Sequence, residues 1–85
     1  MTRKRKPRTA HLRWVAHGIA TAKLRREAWD LSTHEACERA YYAVWEILEI
    51  PADLTDQQLQ RIGDSLWGAV QRVATETERG AQAHD

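Results

Sequence analysis

Apolar residues recur along this chain at three- and four-residue steps, with polar residues filling the gaps. Leu12, Val15, Ala16 and Ile19 share one face of a helix predicted over residues 10–29, with Thr9 as its N-cap. Lys23 and Arg26 continue that face, so its apolar stripe weakens in the second half. Gly18 sits mid-helix, where it costs about 1 kcal/mol against alanine. It either permits close packing or marks a bend.

A second helix is predicted over 33–49. Its start, Ser32-Thr33-His34-Glu35, has capping-box form, with the Ser32 hydroxyl accepting from the Glu35 amide and Glu35 reaching back. Cys37, Ala40, Tyr41, Val44, Ile47 and Leu48 form its stripe, with Trp45 at the edge. Ile50-Pro51 ends it, because the residue before proline is pushed toward extended backbone. A third helix is predicted over 56–79. Thr55-Asp56-Gln57-Gln58 is another capping box, and Leu54 is placed to staple onto Leu59. Leu59, Ile62, Leu66, Val70 and Val73 make the stripe, and Gly63 beside it leaves room for a neighbouring helix. Arg79-Gly80 reads as the stop, a base at the negative end followed by a C′ glycine.

No segment alternates with period two. The expected fold is therefore all-α: three amphipathic helices in a small bundle, or an open hairpin with a third arm. Residues 1–8 are expected to be a flexible basic arm, 9–80 the helical domain and 81–85 a disordered tail. The expected core is Leu12, Val15, Ile19, Cys37, Ala40, Tyr41, Val44, Leu48, Leu59, Ile62, Leu66, Val70 and Val73. Trp29, Trp45 and Trp67 are expected at its border.

Size sharpens this picture. A chain of 85 residues makes one domain of marginal independent stability. Four tryptophans supply more aromatic surface than three short helices readily hide, so a homodimer is expected over a monomer. No run reaches the roughly 18 apolar residues of a membrane span, and the basic start lacks the apolar stretch of a secretory signal. The single Cys37 excludes an internal disulfide and fits a reducing, cytoplasmic setting.

Charge changes the picture more. The net charge is only +1, but it is strongly segregated. Arg3, Lys4, Arg5, Lys6, Arg8, Arg13, Lys23, Arg25 and Arg26 precede the first acid, Glu27. Beyond Arg26 lie the other four bases and all twelve acids. Such a dipolar chain suits a polyanion partner, or a pairing of its two ends within or between subunits.

Four surfaces carry candidate chemistry. The nine N-terminal bases, with Trp14, form a candidate nucleic-acid surface: the cations neutralise phosphates and the indole stacks on an unpaired base. The plain alternative is a solubilising arm with Trp14 in a dimer seam. The start of the third helix, Gln57, Gln58, Gln60 and Arg61, resembles a base-reading position of a helix-turn-helix. A solvated polar face accounts for it more simply, since Asp56 and Asp64 would meet phosphates. Glu35, Glu38, Tyr42, Glu46 and Glu49 make an acidic face on the second helix, bordered by Trp45 and Trp67, and serve as a candidate partner surface. Glu46 and Glu49 fall at the negative end of that helix, where acids are disfavoured. The basic arm or the Lys23–Arg26 cluster would compensate them. His34 and Cys37 are spaced to share a metal but lack the further ligands zinc needs. Neither a metal nor a cofactor is expected.

No phosphate loop, nucleophile elbow or paired metal carboxylates is present. Arg25, Arg39 and Glu38 across a dimer would be the remaining route to catalysis, and nothing singles them out. The expected function is thus a non-enzymatic, nucleic-acid-associated regulator, contacting DNA or RNA through its basic end. The alternative is a protein-interaction module whose arm docks on an acidic protein surface.

Overall fold

The computed structural model describes residues 8–82, with the side chains of 9–79. The described residues form three helices and no strand: α1 (Arg8–Arg26), α2 (His34–Ile47) and α3 (Asp56–Gln82). The expected arm, apart from Arg8, lies outside the described residues.

The helices run up, down and up. Ser65 Oγ of α3 donates to the carbonyl of Arg13 at 3.0 Å, and Arg25 pairs with Glu76 further along. Both partners advance together, so α1 and α3 are parallel. The indole of Trp45 and the hydroxyl of Tyr41 come close to Gly63, while Cys37 shares a cavity wall with Ala74. α2 therefore runs back along α3 in the opposite sense. The α1–α3 interface is the most extensive of the three.

That interface corrects the expected face of α1. The buried residues are Ala16, Ala20 and Leu24, with Thr9 and Thr21, whereas Leu12, Val15 and Ile19 are only partly covered. The cause is proximity. A serine hydroxyl on α3 reaches the α1 backbone, which requires small side chains between the axes. Ala16 and Ala20 meet the requirement, and bulkier residues are displaced to the flanks. α3 answers with Ile62, Leu66, Ala69, Val70 and Val73, all buried. Cys37, Ala40 and Val44 add the α2 layer, and Leu31 and Leu54 close the core from the loops. Tyr41, Leu48 and Leu59 pack at its edge rather than inside it, beside Trp29, Trp45 and Trp67.

Each helix end has a local cause. α1 stops at Arg26, three residues before the expected end. Ala28 adopts φ 51°, the Ala28 amide donates to the Arg25 carbonyl at 3.2 Å and the Trp29 amide to the Leu24 carbonyl at 3.1 Å. These are the paired bonds of a Schellman cap, here closed without glycine. Glu27 secures it by accepting from Trp29 Nε1 at 2.8 Å and from Lys23 Nζ at 2.9 Å. The N-cap of α2 is Thr33, not Ser32: its hydroxyl accepts from the Ala36 amide at 3.1 Å. The Ser32 amide instead donates to Asp30 in a tight turn. α2 ends at Ile47, before the proline is reached, because Leu48 turns extended. Leu48 and Ile50 then fold onto the core with Glu49 exposed between them.

The α3 capping box forms as expected. The Thr55 hydroxyl accepts from the Gln58 amide at 3.2 Å, and the Thr55 amide donates to Gln58 Oε1 at 2.8 Å. Gly80 does not stop α3, which continues to Gln82. Glycine permits a left-handed cap but does not impose one, so Ala81 and Gln82 belong to the helix rather than to a loose tail.

Two substitutions probe these devices. Ala28→Gly should raise stability by about 1 kcal/mol, because the left-handed backbone penalises a Cβ and no side-chain burial is lost. Gly63 is buried, and a Cβ there would lie 2.7 Å from the Tyr41 hydroxyl. Gly63→Val should therefore lower stability by about 1–3 kcal/mol through overpacking. Urea denaturation of both variants measures the two opposite shifts.

Candidate functional site

Ion pairing divides the basic stretch of α1. Lys23 Nζ pairs with Glu27 at 2.9 Å one turn on. Arg25 grips Glu76 of α3 with two bonds, Nε to Oε1 at 3.0 Å and Nη2 to Oε2 at 2.7 Å. Arg72 approaches the same carboxylate at 3.7 Å. The hydrogen bonds from Arg25 hold the Glu76 carboxyl below its ordinary value of 4.5, with Arg72 contributing further. Glu27 is lowered likewise, first by the Trp29 indole N–H and then by Lys23. Two of the expected phosphate-binding cations are thus committed within the molecule.

Other members of the set remain open. Arg13 is exposed and makes no ion pair among the described residues. Trp14 beside it is 75% exposed, with the His11 ring 6.4 Å away. Arg26 is exposed and only 3.8 Å from the already occupied Glu27 carboxylate. The Arg8 side chain and Arg3, Lys4, Arg5 and Lys6 lie outside the described side chains. Thr21 is buried, and its hydroxyl donates to the His17 and Gly18 carbonyls.

Within one chain, the compensation expected on α2 does not come from the Lys23–Arg26 cluster. Those cations turn to Glu27 and Glu76 because both carboxylates are near, one at i+4 and one on the parallel neighbour. Glu46 and Glu49 stay exposed and make no ion pair among the described residues. Glu38 Oε1 lies 3.1 Å from His34 Nε2. Tyr42 is 60% exposed and meets the Tyr41 ring edge-on. Trp45 and Trp67 are part-buried, held by edge contacts with Tyr41 at 6.1 Å and 5.8 Å. The expected partner-binding set therefore splits into an exposed group on α2 and an aromatic cluster that seals α2 to α3.

His34 and Cys37 are turned to different partners. The His34 ring packs edge-on against Trp67, while the Cys37 thiol donates to the Leu31 carbonyl at 3.6 Å. No group of three metal-binding side chains gathers among the described residues. Within one chain, Arg25 is held by Glu76 rather than grouped with Arg39 and Glu38. At the start of α3, Gln58 turns back into the cap, leaving Gln57, Gln60 and Arg61 exposed.

Two concavities matter. One of about 560 Å³ opens between the start of α2 and the end of α3, floored by Cys37 and walled by Asp30, Gln71, Thr75 and Glu78. It offers hydroxyls, two acids and one imidazole, His34, but no lysine or arginine. Another, of about 290 Å³, lies between α1 and the end of α2. Leu12, Val15, Ile19, Ile47, Leu48 and Ile50 line it, with Glu49 at the rim. Sequence reasoning passed over this groove because it assigned the same leucine, valine and isoleucine to the core. The signal was there in α1, where apolar residues occupy two faces rather than one.

No helix among the described residues is long and apolar enough to cross a membrane. No protein-family model, curated protein or solved structure matches the chain.

The ion pairs set an acid limit. Glu27 and Glu76 have lowered folded values, so their contribution is full above the ordinary carboxyl value of 4.5 and is lost as pH falls through the lowered values. Stability should fall on acidification through that window. Glu76→Gln should flatten that part of the profile in thermal melts recorded against pH, since it removes one of the carboxyls with a lowered value, leaving Glu27 and Asp30.

Proposed function

We propose that this protein is a non-enzymatic, nucleic-acid-associated regulator that grips phosphates with its basic N-terminal end. One observation carries the reading: Arg13 and the highly exposed Trp14 stand side by side on α1, directly after the cluster Arg3, Lys4, Arg5, Lys6 and Arg8. Cations on successive positions bind a phosphate backbone through counterion release. An exposed indole among them adds stacking on an unpaired base, worth about 1–3 kcal/mol. The binding surface is shorter than the charge count suggests. Lys23 and Arg25 serve the fold through Glu27 and Glu76, so the contacts concentrate at the start of α1.

A second reading rests on the exposed apolar side chains Tyr42 and Ile47. In it the body captures a protein and the basic end docks on that protein's acidic surface.

Salt-titrated binding of the full chain to duplex DNA, single-stranded DNA and RNA separates the two. The nucleic-acid reading expects affinity to fall steeply with salt, with each neutralisation among Arg3, Lys4, Arg5, Lys6 and Arg13 reducing the duplex slope by about 0.9. Trp14→Ala should weaken single strands more than duplex. Arg25→Ala should leave the slope nearly unchanged and lower stability instead. Weak, non-saturating binding to all three nucleic acids would reject this function in favour of the second reading.

A further inference from the structure

α1 carries a second apolar face that its own fold covers only in part. Leu12, Val15, Ile19 and Ala22 recur at alternating three- and four-residue steps, the spacing of a helix–helix seam. The α1 core stripe is a different one, Ala16, Ala20 and Leu24. Ala22 is exposed, and Leu12, Val15 and Ile19 are only partly covered, opening onto the groove beside Ile47 and Ile50. Ile47 is 50% exposed.

Gly18 adds an independent observation. It lies beside this seam in mid-helix, where glycine weakens the helix. A Cβ built there meets nothing within 4 Å, so no contact inside the chain calls for its smallness. Gly18 and Ala22, four residues apart, leave a flat strip on which another helix backbone can approach closely.

We infer that this face is the homodimer interface, formed by two α1 helices packed antiparallel about a twofold axis beside Gly18. Charge selects a second copy as the occupant. Glu49 stands at the Leu12 end of the groove, in a region of α2 that lacks a cation among the described residues. Arg26 stands at the opposite end of the seam, its side chain 77% exposed and its nearest acid already held by Lys23 and Trp29. Antiparallel packing brings the Leu12 end of one copy to the Ala22–Arg26 end of the other. Glu49 then meets Arg26 of the partner subunit, twice by symmetry. The same contact relieves an acid placed just beyond the negative end of α2. Trp14, one helical turn before Gly18, borders the seam.

Sedimentation equilibrium of the full chain, from about 1 to 100 μM, tests the proposal. The wild type should dimerise within that range. Arg26→Glu and Glu49→Arg, both fully surface changes, should each weaken association about tenfold or more, and the double charge swap should restore it. Gly18→Leu should weaken association while leaving the helical circular dichroism of the dilute chain undiminished, which separates a lost interface from a lost fold. A monomer across the whole range would overturn the inference. So would a dimer indifferent to Gly18→Leu and to both charge reversals, since that dimer would use another face.

Discussion

The close parallel contact of α1 with α3 governs the rest of this molecule. A serine hydroxyl on one helix reaches a backbone carbonyl on the other, so the two axes run near enough that only small side chains fit between them. Ala16 and Ala20 occupy that line, with Leu24 at its far end. Once those residues turn inward, the helix is rotated, and the larger Leu12, Val15 and Ile19 cannot also be central. The fold thus gains tight packing along its main interface and leaves sizeable apolar side chains on its flank. A parallel pair also sets the two helix dipoles side by side in the same sense, which is unfavourable. The forked Arg25–Glu76 bridge near one end offsets part of that cost, though exposed pairs contribute little individually.

Much of the architecture was legible in the sequence, and the misses share a cause. Three helices, the Thr55–Gln58 box and the α3 stripe were all readable, because periodicity and capping are local properties. The α1 face was misread because hydrophobicity ranks Leu, Val and Ile above Ala, whereas backbone proximity ranks them the other way. The end of α1 was missed because its cap is built on Ala28, a residue that gives no warning of left-handed backbone. The stop expected at Gly80 failed for the converse reason. At the candidate surfaces, sequence located the basic cluster and the exposed Trp14. Which cations are free was beyond it, since Glu76 lies fifty-one residues from Arg25 and only the parallel packing joins them.

Charge segregation acquires a spatial meaning in this arrangement. Arg13 is exposed near the start of α1, and Glu46 and Glu49, without an ion pair among the described residues, lie at and just beyond the end of α2 that faces it. The middle and far end of the bundle are stitched by Lys23–Glu27 and Arg25–Glu76. On α1, Arg13 is left exposed without an ion pair among the described residues, while Lys23 and Arg25 are spent on holding the helix in place. Salt weakens exposed pairs of this kind.

Three helices in up-down-up order place the start of α1 and the end of α3 at opposite poles of the described bundle. α3 alone, at 27 residues, spans about 40 Å. A group carried by the last turn of α3 therefore sits a bundle's length from Arg13 and Trp14, whereas one carried by the first turn of α1 sits beside them. For any immobilised or labelled form of this protein, the choice between these two ends decides whether Arg13 and Trp14 face solution or are masked by the attachment.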